Sequence, residues 1–136
     1  MSSLFTRIVN GEIPSHKLAE DERYLAFLDV RPIRPGHALV IPKREVDYLF
    51  DLDDETLGGI LCFARPVAKA IERVVPCKRI GVTVVGLEVP HAHVHLVPID
   101  RISDIDFSNA QPAADNELAE LAGKIRQEIG DAGNRH

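Results

Sequence analysis

Residues His91-Ala92-His93-Val94-His95-Leu96-Val97-Pro98 set three imidazoles two positions apart, with apolar residues between them and a proline at the close. Alternation of period two is the signature of a β-strand. Residues i, i+2 and i+4 of a strand share a face. His91, His93 and His95 are therefore expected to project together, while Ala92, Val94 and Leu96 face a core. Three aligned imidazoles add little to the stability of a strand, but they can assemble a site.

Two chemistries suit such a row. One is metal binding, because His-x-His on a strand can bring two imidazoles to one ion. At about 3.3 Å of rise per residue, the Cα atoms of His91 and His95 stand roughly 13 Å apart on a straight strand. A metal would therefore take two of the three and import further ligands, with His16, His37 and His136 the other histidines available. The second is nucleophilic catalysis. Imidazole is neutral near physiological pH and forms covalent intermediates. Its attacking nitrogen is defined when an acceptor holds the other nitrogen. Flanking imidazoles can then donate hydrogen bonds to a phosphate.

The run, with its terminal proline, resembles the signature of the histidine triad (HIT) superfamily, in its nucleotide-binding, Hint-like branch. Two upstream blocks carry the resemblance further. Leu4-Phe5-Thr6-Arg7-Ile8-Val9-Asn10-Gly11-Glu12-Ile13-Pro14 is similar to the family's N-terminal helix and following turn. Ala26-Phe27-Leu28-Asp29-Val30-Arg31-Pro32 and Pro35-Gly36-His37-Ala38-Leu39-Val40-Ile41-Pro42-Lys43 resemble its central hairpin. Order and spacing agree from about residue 4 to residue 100.

Composition narrows the setting. The 136 residues suffice for one domain, read here over residues 1–136, with its own core. The net charge is −5, without a basic run, and aromatics are 5% with no Trp. Nucleic acid is thus not the expected partner, whereas a free nucleotide remains compatible. Cys62 and Cys77 are too few and too far apart for a zinc ribbon or a redox pair, and are expected to be reduced and mostly buried. Some HIT proteins bind zinc through cysteines near the N-terminus; Ser2, Ser3 and Thr6 occupy that region here, so that site is expected to be absent. No targeting segment or membrane span stands out, and a cytoplasmic location is the expectation.

The elements that must hold the histidines follow in order. Residues 3–10 read as a short helix capped by Ser3 and stopped by Gly11. Residues 17–19 and 23–28 read as paired strands, residues 31–36 as a Pro/Gly loop, and residues 37–42 as the next strand. Arg31 and Arg34 in that loop could steer phosphate, and solvation is the favoured reading of the two. Residues 51–75 form the longest predicted helix, capped by Asp51 or Asp53, with a stripe of Leu57, Ile60, Leu61, Ala64, Ala68, Ile71 and Val75 and a kink near residues 62–66. Residues 79–85 are β-branched and predict a central strand. A last helix is expected to be capped by Asp115 and to end at Gly130. The sum is an α+β domain with one five-stranded antiparallel sheet, a long helix, and short N- and C-terminal helices. The resemblance implies two such domains paired through a strand edge and the long helix, giving a homodimer.

The resemblance also implies the chemistry. His93 would attack the α-phosphate of a purine nucleotide or nucleoside phosphoramidate, with the His91 carbonyl holding its other nitrogen and water later releasing the monophosphate. His91, His95 and His37 would support catalysis, with imidazolium and backbone N–H groups meeting the phosphate charge. Phe5, Ile8, Phe27 and Val30 would line the substrate pocket and Asp29 would accept from the ribose hydroxyls. No metal or other cofactor is expected. This chain departs from the family at three places. Gly86-Leu87-Glu88 replaces the usual Gly-Gln-Ser/Thr, and Glu88 could act as general acid if burial keeps it protonated. Ile80-Gly81-Val82 lacks an upstream Asn, and Glu45 stands where many members have His. These departures leave dinucleoside polyphosphate hydrolysis, or nucleotide binding with little catalysis, as alternatives to phosphoramidate hydrolysis.

Overall fold

A computed structural model describes residues 2–133. Five strands form one antiparallel sheet in the order β1-β2-β3-β5-β4. They are β1 (Lys17–Glu20), β2 (Tyr24–Leu28), β3 (Ala38–Pro42), β4 (Arg79–Thr83) and β5 (Val94–Ile99). Helix α1 (Leu4–Val9) precedes the sheet, α2 (Asp54–Val74) follows β3, and α3 (Asp115–Gly133) follows β5. The α+β class with a single antiparallel sheet is thus the one the sequence predicts.

The period of two divides the sheet between two cores. Ala26 and Leu28 of β2, Ala38 and Val40 of β3, and Val94 and Leu96 of β5 face α2 and α3, meeting Ile60, Ala64, Val67 and Ile71 of α2 and Leu118, Ala122 and Ile125 of α3. The alternate residues Leu25, Phe27, Leu39 and Ile41 face the other way, against Phe5 and Ile8 of α1. With both faces covered, β2 and β3 are buried at every position.

The fold corrects several sequence expectations. Residues 79–83 form an edge strand rather than a central one, with Arg79 and Val82 exposed. A β-branched run suits a pleated surface in general and does not distinguish edge from centre. The buried stripe of α2 follows Ile60, Ala64, Val67 and Ile71, while Leu61 is 56% exposed. Asp51 belongs to a separate 3-10 turn, Leu49–Asp51, and Asp53 caps α2 by accepting from the Thr56 N–H at 3.2 Å. Helix α2 runs from Asp54 to Val74 with Pro66 inside it, on its exposed side. Gly59 permits a close approach there: a Cβ would stand 2.5 Å from the Tyr24 hydroxyl, which donates to the Thr56 carbonyl. Asp115 lies inside the first turn of α3 rather than before it, where its carboxylate suits the helix dipole and accepts from His16 Nε2 at 2.9 Å. The helix passes Gly130 to Gly133, nineteen residues in all, so it is not short. Cys62 is exposed and Cys77 half-buried; both are free thiols. His136 lies outside the described residues.

Candidate active site

A cleft of about 610 Å³ opens on the α1 side of the sheet. Phe5 and Ile8 of α1, Phe27 of β2 and Leu39 of β3 give it an apolar wall. Asp29, His93 and His95 supply polar groups; residues 85–89 with Phe107, Ser108 and Ala110 form its other side. Val30 and Glu88 line its mouth, and both side chains are exposed. The burial on which the general-acid reading of Glu88 depends is therefore absent.

The triad run does not lie wholly in a strand. β5 begins at Val94, where it pairs with Val40, and only His95 of the three histidines is within the ladder, opposite Leu39 and Thr83. His91 and His93 sit in the extended lead-in, where the Ala92 N–H donates to the Val46 carbonyl at 2.7 Å. All three rings lie on the α1 side of the sheet, where Phe5 packs edge-on to both His91 and His93. His93 and His95 reach the cleft, with ring centroids 5.1 Å apart, while His91 is fully buried away from it.

Hydrogen bonds fix the tautomer of all four buried histidines. His93 Nδ1 lies 2.7 Å from the His91 carbonyl oxygen, which can only accept, so Nδ1 carries the proton and Nε2 keeps its lone pair. His91 Nε2 lies 2.7 Å from the Pro42 carbonyl and must donate to it, leaving Nδ1 to accept from the Ser3 hydroxyl at 2.8 Å. His37 Nδ1 accepts from the Ile33 N–H at 3.1 Å, so its proton is on Nε2. That proton is donated to His95 Nδ1 at 2.9 Å, which leaves His95 with an Nε2–H. Two backbone contacts thereby set one ring beside the cleft as a lone-pair bearer and its neighbour as a donor. Gly36 makes the His37 end of this arrangement possible. Its φ is +91°, and a Cβ there would meet Val75 Cγ2 at 3.0 Å and Pro98 Cγ at 3.1 Å.

Burial keeps three of the rings neutral. Desolvation pushes His95 down to about 3, with His37 and His93 adding to the effect. Desolvation also lowers His91, opposed by the Pro42 carbonyl and the Glu45 carboxylate, and His37, opposed by the Asp29 carboxylate. At rest His95 therefore presents the N–H of a neutral imidazole, not the imidazolium expected from the sequence. Asp29 serves two ends: one carboxylate oxygen accepts from the Arg31 N–H at 2.9 Å, and the other lies 3.6 Å from His37 Nε2 beside the cleft. Arg34 is held by Asp104 at 2.6 Å and Asp100 at 3.3 Å, so it braces the chain after β5 rather than standing free in solvent.

Among the described residues, Asp29, His37 and His95 form the one cluster spaced to hold a metal ion. The tautomers do not fit one. His37 Nδ1 is already an acceptor, so a cation on Nε2 would require an imidazolate with no proton on either nitrogen.

Comparison with known proteins places this arrangement. The sequence matches the HIT domain over residues 10–102. The chain belongs to the HIT family. It is 42% identical over 100 residues to an adenosine 5'-monophosphoramidase of Schizosaccharomyces pombe, covering 72% of this chain and 74% of that protein. The crystal structure of a HIT-like protein from Bartonella henselae superposes with a TM-score of 0.83 at 32% identity, covering 93% of this chain and 96% of that one. A zinc-bound histidine triad family protein from Mycobacterium smegmatis superposes with a TM-score of 0.86 at 27% identity, covering 100% and 99%.

Within this HIT protein the cleft gathers Phe5, Ile8, Phe27, Asp29, Val30, Glu88, His37, His93 and His95, and leaves out only His91 of the residues the sequence singled out. One neighbour was missed. Phe107, on a 3-10 turn at Phe107–Asn109, packs edge-on to His95 with centroids 4.8 Å apart. Nothing in its local sequence links it to a histidine twelve residues earlier. Ser3 caps α1 as the sequence predicts, and its hydroxyl also serves His91.

Proposed function

We propose that this HIT protein is a nucleoside phosphoramidase working through a nucleotidyl-histidine on His93. The observation that carries this reading is the pair of fixed tautomers in the cleft. His93 Nε2 bears a lone pair because Nδ1–H is held by the His91 carbonyl, and the His95 Nε2–H stands beside it. In the first step His93 Nε2 attacks the α-phosphorus and the phosphorus–nitrogen bond of the substrate breaks. The leaving nitrogen takes a proton from water in the open cleft and departs as an amine. The His95 N–H donates to a phosphate oxygen as charge accumulates there, and His37 holds His95 in the donating tautomer. Water then attacks the phosphorus, His93 leaves, and the nucleoside monophosphate is released. The base lies against Phe5, Ile8, Phe27 and Val30, and the free oxygen of Asp29 accepts from the ribose diol. The named activity of the S. pombe relative supports this substrate class.

We further propose a homodimer paired along β4. That strand is a sheet edge, and Val82 on β4 is 52% exposed. An exposed apolar edge strand is a template for pairing with a second copy.

The reading is tested with adenosine phosphoramidate and a rapid acid-free quench. An AMP adduct on His93 during turnover supports it. Turnover retained in His93→Ala contradicts it.

A further inference from the structure

Outside the cleft, three polar side chains, Ser3, Thr6 and Glu45, converge behind His91. The Glu45 Oε1 atom accepts from the Ser3 N–H and from the Thr6 hydroxyl, the latter at 2.7 Å. Ser3 Oγ accepts from the Thr6 N–H at 3.0 Å, which leaves its own proton for His91 Nδ1 at 2.8 Å. Thr6 Oγ1 is also near His91 Nδ1, at 3.3 Å, and near Ser3 Oγ, at 3.2 Å. Each hydroxyl has one proton to give. Because the Thr6 proton is committed to Glu45, the Ser3 proton alone meets the single lone pair of His91. Without Glu45, Thr6 could turn to that lone pair and compete with Ser3, and the Ser3 N–H would lose its partner.

We propose that Glu45 is a positioning residue for the triad: an exposed carboxylate that directs the Ser3 hydroxyl onto His91 and so steadies the carbonyl that holds His93. The chain of contacts is continuous. His91 Nε2 is pinned to Pro42 and its carbonyl accepts from His93 Nδ1, so a rotation of His91 is passed to the nucleophile. The same carboxylate ties down the cap of α1, whose Phe5 lies edge-on to His93 with centroids 5.1 Å apart. Glu45 is held well below the usual carboxylate range, to about 2, chiefly by the Ser3 backbone N–H and then by Thr6, and is therefore ionised when it performs this role.

The proposal rests on the reading of His93 as nucleophile. Its test therefore has a readout that does not need turnover. Wild type, Glu45→Ala, Glu45→Gln, Ser3→Ala and His93→Ala are compared in two ways: by kcat and KM on adenosine phosphoramidate, and by the side-chain nitrogen resonances of His91 in 15N-histidine-labelled protein at rest. Glu45→Ala is expected to lower kcat about tenfold, the size of one charge-assisted hydrogen bond lost from the reacting geometry. KM should change less than about twofold, because no base or ribose contact is touched. Glu45→Gln keeps an acceptor for both donors and should stay within about threefold of wild type. The Nδ1 resonance of His91 should move in Glu45→Ala and Ser3→Ala, and hold in Glu45→Gln. A kcat unchanged in Glu45→Ala, an equal loss in Gln and Ala, or an unmoved His91 resonance overturns the proposal. Absence of turnover in wild type would instead sink the His93 reading, and the His91 resonance would then decide the Glu45 contact alone.

Discussion

Acid should unfold this protein through its buried histidines, and His95 gives the clearest test. Its ordinary value of 6.5 falls to about 3 in the folded chain, with burial the first cause. As pH drops below 6.5 the unfolded chain takes up a proton that the folded chain refuses until about pH 3. Stability is thus unaffected by this group above pH 6.5, falls as pH decreases from 6.5 to 3, and is level below that. Between pH 7 and pH 5 the loss from His95 amounts to about 2 kcal/mol. Against a typical total of about 5–15 kcal/mol that is a large fraction. His37 and His91 are lowered mainly by the same desolvation and add losses of the same sign. Urea unfolding at the two pH values, at one protein concentration, measures the sum. His95→Gln removes the titrating ring and leaves the carboxylates unchanged, so their contributions cancel in the comparison. The variant should lose about 2 kcal/mol less than wild type between pH 7 and pH 5. Equal losses in the two proteins would refute the assignment of His95 as a buried neutral ring.

Other perturbations address separate parts of the account. Asp29→Asn keeps the acceptor for the Arg31 N–H but weakens the ribose contact. It should raise KM about tenfold for a ribonucleoside phosphoramidate and leave the 2',3'-dideoxy analogue unchanged. Val82→Arg places a charge on the exposed edge of β4 and should convert a dimer to a monomer by light scattering; an unchanged mass would contradict pairing there. Phe107→Ala opens His95 to water, so its pKa, followed by NMR, should rise toward the ordinary value.

The strands and the short helix were legible because each depends on local patterning, whereas the cleft residues came from the resemblance to the HIT family. Short apolar runs around Phe27 and Leu39, bounded by polar and Pro/Gly segments, mark strands buried on both faces, and Ser3 before an apolar turn marks a helix start. What was illegible depends on partners distant in sequence. The edge position of β4 is set by which strand β5 chooses as its other neighbour, and the composition of residues 79–85 carries no record of that choice. His91 alternates with His93 and His95 in the sequence, yet Pro42 and Ser3, respectively 49 and 88 residues away, hold it buried outside the cleft lining. Likewise, the protonation of His95 follows from its burial beside His37, so the imidazolium expected from residue types gives way to a neutral donor.

The most direct test of the central claim is AMP release from adenosine phosphoramidate by chelator-treated protein, with wild type beside His93→Ala. The account predicts steady turnover by wild type that chelation leaves unchanged, and none by His93→Ala protein that is folded and still binds AMP. Turnover that survives the loss of His93, or that disappears on chelation and returns with added metal, would contradict it.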